Sequence, residues 1–225
     1  MATSPLARTQ AYGNAAGAFT EALEFDRAEA AVRDGFAALG GRRAPTLEAV
    51  LEFARRAVLY RRAVPLAPDL ELADAALDVG SPATAAQILL NEAAVAWRAG
   101  ANAEAVRLAH AAAASWRAGR PPGASPSAGA VLADALAVAA GAALAPAELA
   151  TLVGATRACT LVGVRAQAAA LLARAHPALA ADLRPIAPAA VEHDGSREKQ
   201  CRREVLSPAE VIAAFHEPRQ GASPG

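Results

Sequence analysis

The chain has 225 residues, carries no formal net charge and contains two cysteines, Cys159 and Cys201. This excludes a disulfide framework and any global electrostatic pull toward nucleic acid or an anionic membrane. Alanine supplies 68 residues, and arginine 21 against the single Lys199, a skew that matches codon usage in a GC-rich genome. Alanine is the strongest helix former and β-favouring residues are scattered, so the fold class expected is all-α, antiparallel helical hairpins in a short repeat stack or an irregular bundle. Alanine buries little area, so the helices must approach closely around sparse Leu, Val, Phe and Trp.

Residues 1–14 are expected to be flexible, and Met1 to Thr20 lacks the apolar run of a secretory signal, which makes the cytoplasm the default location. Residues 15–118 should form an amino-terminal helical region. Its first helix is predicted to follow Asn14 and reach Gly40-Gly41, with Phe25, Ala28, Val32, Phe36 and Leu39 on one face. A second helix follows Thr46 and stops at Pro65, and the acidic stretch Asp69 to Asp78 allows a short one. Ser81-Pro82 reads as a cap with proline in the first turn, opening a helix that Gly100 ends. Asn102 should cap the next helix, which runs to Gly119 and lies antiparallel to its predecessor because the turn is short.

A Pro/Gly/Ser linker is expected over 119–127 and a carboxyl-terminal helical region over 128–188. Its alanine-rich helix reaches about Leu144. Asp134 and Pro146 make this a buried helix rather than a membrane span. Helices from Pro146 toward Gly163 and from Val164 to His176 complete the region. Residues 189–206 form a charged flexible connector and 218–225 a disordered tail. Between them, 207–217 should be a short amphipathic helix, because Ser207 and Glu210 have capping-box spacing ahead of Val211, Ile212 and Phe215.

Leu89, Ala93, Gly100, Ala105, Ala109 and Ala112 are matched at the same offsets by Leu152, Thr156, Gly163, Ala168, Leu172 and Ala175. Over Ser81 to Gly119 and Pro146 to Pro177 this pattern resembles the tetratricopeptide repeat, a helix-turn-helix unit that stacks into scaffolds. The resemblance implies helical protein-protein interaction. The family's aromatic residues are mostly absent, its closing proline is missing, and the two turns, at Gly100 and Gly163, are closer together than two full repeats.

No phosphate loop, paired-histidine zinc helix, Cys-x-x-Cys or serine elbow is present. His110 lies near Glu104 and Arg107, and His176 sits where a helix carboxyl end favours a cation. Cys159 reads as a small buried apolar residue. Glu192, His193, Asp194, Cys201, His216 and Glu217 offer zinc-compatible donors at no standard spacing, so no metal or cofactor is expected. Arg42, Arg43, Arg55, Arg56, Arg61 and Arg62 concentrate positive charge against Glu48 and Glu52. They suit a partner's acidic surface better than nucleic acid, because no aromatic residues alternate with them, and pairing of Glu52 with Arg55 or Arg56 is the simpler alternative.

The leading expectation is a non-catalytic interaction scaffold or adaptor that binds another protein through Arg55, Arg56, Arg61 and Arg62 and through Val211, Ile212 and Phe215, with homo-oligomerisation open. The alternative is a helical-bundle enzyme or small-ligand binder whose pocket gathers Glu92, His110, Cys159 or His176. A third is a nucleic-acid-associated regulator that uses the arginine-rich helix.

Overall fold

The computed structural model describes residues 4–62, 64–78, 82–118, 120, 121, 124, 127–186 and 205–215. Among them every regular element is helical: α1 Pro5–Glu21, α2 Phe25–Leu39, α3 Pro45–Arg61, α4 Leu70–Leu77, α5 Pro82–Arg98, α6 Asn102–Ala118, α7 Ala128–Ala139, α8 Pro146–Ala158, α9 Val162–Ala175, α10 Ala180–Leu183 and α11 Pro208–Ala213. Two 3₁₀ turns, Pro177–Leu179 and Arg184–Ile186, flank α10. The zinc-compatible donors Glu192, His193, Asp194, Cys201, His216 and Glu217 lie outside the described residues.

The largest departure from expectation is at the amino terminus. Helix starts at Pro5, within the segment expected to be flexible, because Ser4 caps it by accepting from the Ala7 amide at 3.1 Å and Pro5 fits the first turn. What reads as one helix to Gly40 is two, broken at Leu23, which takes a left-handed φ of 61°. That conformation folds α2 back on α1 and places a β-carbon where glycine is the usual residue. Gly40 and Gly100, at φ 58° and 77°, end α2 and the α5 turn as their positions predict.

Helices α1, α2 and α3 pack together around Ala16, Ala31, Val32 and Ala54, with Tyr12 and Phe19 at the edge. Gly35 allows the close approach, since a β-carbon there would meet Leu51 Cδ2 at 2.6 Å. Helix α4 sits between α3 and α5, where Leu72 and Ala76 meet Ala49, Ala85 and Ile88.

The main core is one cluster shared by α5, α6, α7 and α9, so helices before and after residues 119–127 pack together. Helices α5 and α6 form the expected hairpin. Most of α5 from Ala85 to Ala96 is buried, and so is α9 from Ala166 to Ala173, so alanine on several faces lets each be enclosed on several sides. Gly129 lets α7 start against the Trp116 indole, 2.5 Å from where a β-carbon would stand. By contrast α8 buries only Leu152, Val153 and Thr156. Gly163, matched to Gly100 in the repeat pattern, lies inside the first turn of α9 rather than at a left-handed turn. No helix among the described residues is long and apolar enough to cross a membrane.

Candidate functional site

The segment Val205 to Phe215 returns to the helical body and enters its main core. Val205, Leu206, Val211 and Phe215 are buried, whereas Ile212 is 41% exposed. Of the three apolar residues expected to dock, Ile212 therefore faces solvent. Val205 and Leu206, assigned by sequence to the connector, take its place. The capping box forms as predicted: the Ser207 amide donates to Glu210 Oε2 at 2.7 Å and the Glu210 amide to Ser207 Oγ at 3.3 Å.

Polar side chains of the body grip this segment chiefly by its main chain. Gln167, fully buried in α9, accepts with one Oε1 from the Val205 amide at 2.8 Å and the Leu206 amide at 3.1 Å. The Val205 carbonyl accepts from Tyr60 Oη at 3.1 Å and Arg98 Nη2 at 2.7 Å. Arg174 donates to the Glu210 carbonyl at 3.3 Å and Arg184 to the Phe215 carbonyl, so cations satisfy carbonyls in and just after α11. One side-chain pair adds specificity: Arg98 meets both Glu210 carboxylate oxygens, at 3.2 and 2.9 Å.

The electrostatics follow from this packing. Burial works to raise the Glu210 carboxyl, but Arg98 together with the Ser207 amide and hydroxyl holds it at about 2. Burial likewise works against the charged Arg98 guanidinium, yet Glu210 and Tyr60 push its pKa up. Burial raises the Tyr60 phenol against the opposing Arg98 cation. Beside the docked segment a cleft of about 610 Å³ opens, lined by Arg61, Val64, Pro65, Leu66, Val95 and Ala99 and bounded by Tyr60, Arg98 and Glu210.

The four arginines singled out in α3 do different things. Arg56 is buried and bidentate to Glu92, with Nε–Oε1 at 2.7 Å and Nη2–Oε2 at 2.6 Å, and also donates to the Ala67 carbonyl at 2.8 Å. Glu92 in turn accepts from the Asp69 amide at 2.9 Å. This network fastens α3 to α5 and to the loop before α4, so Arg56 is not available to a partner. Arg55 pairs with Glu52, as the simpler reading predicted. Arg62 meets Asp26 and Glu29 on α2, and its guanidinium lies 5.5 Å from the Phe25 ring centre. Only Arg61 lines the cleft by the docked segment.

The four residues of the enzyme alternative do not converge. Glu92 is in the buried pair, Cys159 is buried at the end of α8, and His176 follows α9. His110 lines a separate cleft of about 400 Å³ between α6, α7 and α8, with Arg117, Asp134, Glu148 and Thr151. There burial raises the Asp134 carboxyl while its partner Arg117 and His110 oppose the rise. No group of three or more metal-binding side chains occurs among the described residues.

Sequence reasoning missed Tyr60, Arg98, Gln167, Arg174 and Arg184. A lone glutamine in the alanine run from Ala166 to Ala173 was the one available hint, since a buried amide must find partners. No known protein family, curated protein or solved structure matches the chain.

Proposed function

We propose that this protein is a non-catalytic helical scaffold that recognises peptide segments of other proteins. The observation supporting this is the groove of α3, α5 and α9, in which Tyr60, Arg98 and Gln167 engage the main chain of Val205 and Leu206. Side chains that bind amides and carbonyls suit a peptide ligand, because every peptide offers those groups, while apolar pockets set the preferred sequence. The α5–α6 hairpin, where the tetratricopeptide resemblance is best matched, supplies Val95, Arg98 and Ala99 to the groove and its cleft. A stack of such hairpins is the architecture a scaffold would use.

Removal of residues 205–225 tests the reading. The expected outcome is lower stability of the α9 region and increased partner recovery by the opened groove, with the gain lost on adding Arg98→Glu. Unchanged stability, oligomeric state and partner recovery would remove the docking role.

A second reading, small-ligand binding, draws on the cleft of His110, Arg117, Asp134 and Glu148 over an apolar floor of Val131, Val138 and Leu152. Chemical-shift changes at His110 on adding a small organic amine, abolished in Asp134→Asn, would favour it. Their absence would count against it.

A further inference from the structure

We infer that the cleft between α6, α7 and α8 binds a small primary amine with a short apolar body, its ammonium group held by Asp134, Glu148 and Thr151. This rests on the small-ligand reading above and names the chemistry of that ligand. Three helices build the cleft. Helix α7 supplies the floor, with Val131, Asp134 and Val138 on one face at helical spacing. Helix α6 supplies one wall through His110 and Arg117, and α8 the other through Glu148, Thr151, Leu152 and Ala155.

The hydrogen bonds already made around the cleft define what a ligand must bring. Asp134 meets Arg117 through Oδ2, and no donor among the described residues reaches Oδ1. Glu148 caps α8 by accepting from the Ala145 amide with Oε2 at 2.8 Å, which leaves Oε1 open. Thr151 donates its hydroxyl hydrogen to the Ala147 carbonyl at 2.8 Å, so toward a ligand its oxygen can only accept. Three acceptors therefore line the cleft, as many as a primary ammonium has hydrogens to donate.

Charge points the same way. Two carboxylates line the cleft against one guanidinium, which leaves it short of one positive charge with His110 neutral. Burial raises the Asp134 carboxyl despite Arg117, so a second cation stabilises the ionised form beyond what Arg117 achieves. An anionic ligand would meet both carboxylates, and the guanidinium in the lining is already engaged. The rest of the surface, Val131, Val138, Leu144 and Leu152, suits a short branched hydrocarbon. It disfavours a polyamine, whose second charge would fall on apolar side chains. Because α8 buries only Leu152, Val153 and Thr156, a ligand gripped by Glu148 and Thr151 ties this helix more firmly to the body.

The test follows the His110 ring signals of the full chain by nuclear magnetic resonance while isopentylamine is added, with isopentyl alcohol and isocaproate as its neutral and anionic counterparts. The amine should give saturable shifts at His110 and slow hydrogen exchange in α8. The alcohol should bind at least about 10-fold more weakly, because it brings neither the charge nor three donors. Glu148→Gln, which can still cap α8, and Thr151→Val should each weaken the amine by about 3- to 10-fold. Both positions are exposed, so circular dichroism should show an unchanged fold.

Alcohol or carboxylate binding as tightly as the amine would overturn the ammonium assignment, and so would amine affinity untouched by both substitutions. Either result leaves a small-ligand cleft standing. Silence of His110 and α8 toward all three compounds would instead defeat the small-ligand reading as well.

Discussion

Helix α5 and the docked segment 205–215 enter the same core by different means. Helix α5 contributes a near-continuous buried run from Ala85 to Ala96, in which Ile88, Leu89, Leu90 and Val95 fill the core and the alanines between them let neighbouring helices come close. The segment inserts four anchors, Val205, Leu206, Val211 and Phe215, and relies on polar side chains to hold its main chain. Burial on several sides along most of its length, with Glu92 paired to Arg56, ties α5 into the fold. Four anchors and a polar clamp allow release, because such a unit can open without unfolding the rest.

The strongest challenge to that contrast is to break the polar network that fixes α5. Glu92→Ala leaves Arg56 buried and uncompensated, and is expected to destabilise the whole protein by about 3–5 kcal/mol, seen as a lower midpoint in urea. Loss confined to 205–215 would show that α5 is no more integral than the segment. On the other side, Gln167→Leu leaves the Val205 and Leu206 amides without their buried acceptor. A local cost of about 1–3 kcal/mol should appear as faster hydrogen exchange in 205–215, with α5 and α6 unaffected.

A packing change tests the close approach of α6 and α7. Gly129→Ala drives a methyl group into the Trp116 indole and should cost about 1–3 kcal/mol, with the Trp116 environment altered in near-ultraviolet circular dichroism.

Acid should separate the two regions more gently. The Glu210 carboxyl lies at about 2 in the folded chain against an ordinary 4.5, so its contribution is complete above the ordinary value and is lost as pH falls toward 2. The segment should therefore loosen across that window while α5 remains protected. Glu210→Gln should flatten the response, and an unchanged pH profile would dissociate docking from this carboxylate. The smallest effect is expected at Leu23, where glycine would relieve the left-handed backbone. Leu23→Gly should change stability by at most about 1 kcal/mol, measured by thermal unfolding, because its greater freedom in the unfolded chain offsets part of the relief.

Much of the fold was legible because helices announce their ends. Gly100 closes α5, proline opens α3, α5 and α8, and Ser207 with Glu210 frames α11. The same serine-proline signal at Ser4-Pro5 marks the start of α1, although the expected helix began after Asn14. The Leu23 break carried no signal, since leucine gives no local reason to adopt a left-handed turn. The groove was less legible. Val211 and Phe215 follow from helical spacing, but Gln167 meets the Val205 amide across 38 positions of chain, and Arg98 meets Glu210 across 112. Arg56 was misplaced for the same reason: its Glu92 partner lies 36 positions away, while Glu52 is close in sequence.

The single Gln167 oxygen that receives two successive amide hydrogens has a consequence for tolerated change at Val205 and Leu206. Nineteen of the twenty amino acids carry the backbone hydrogen this oxygen requires, so composition at these two positions can drift through other apolar residues without loosening the hold. Proline alone lacks it. An imino acid at either position would silence half of the contact and leave every side-chain pocket intact.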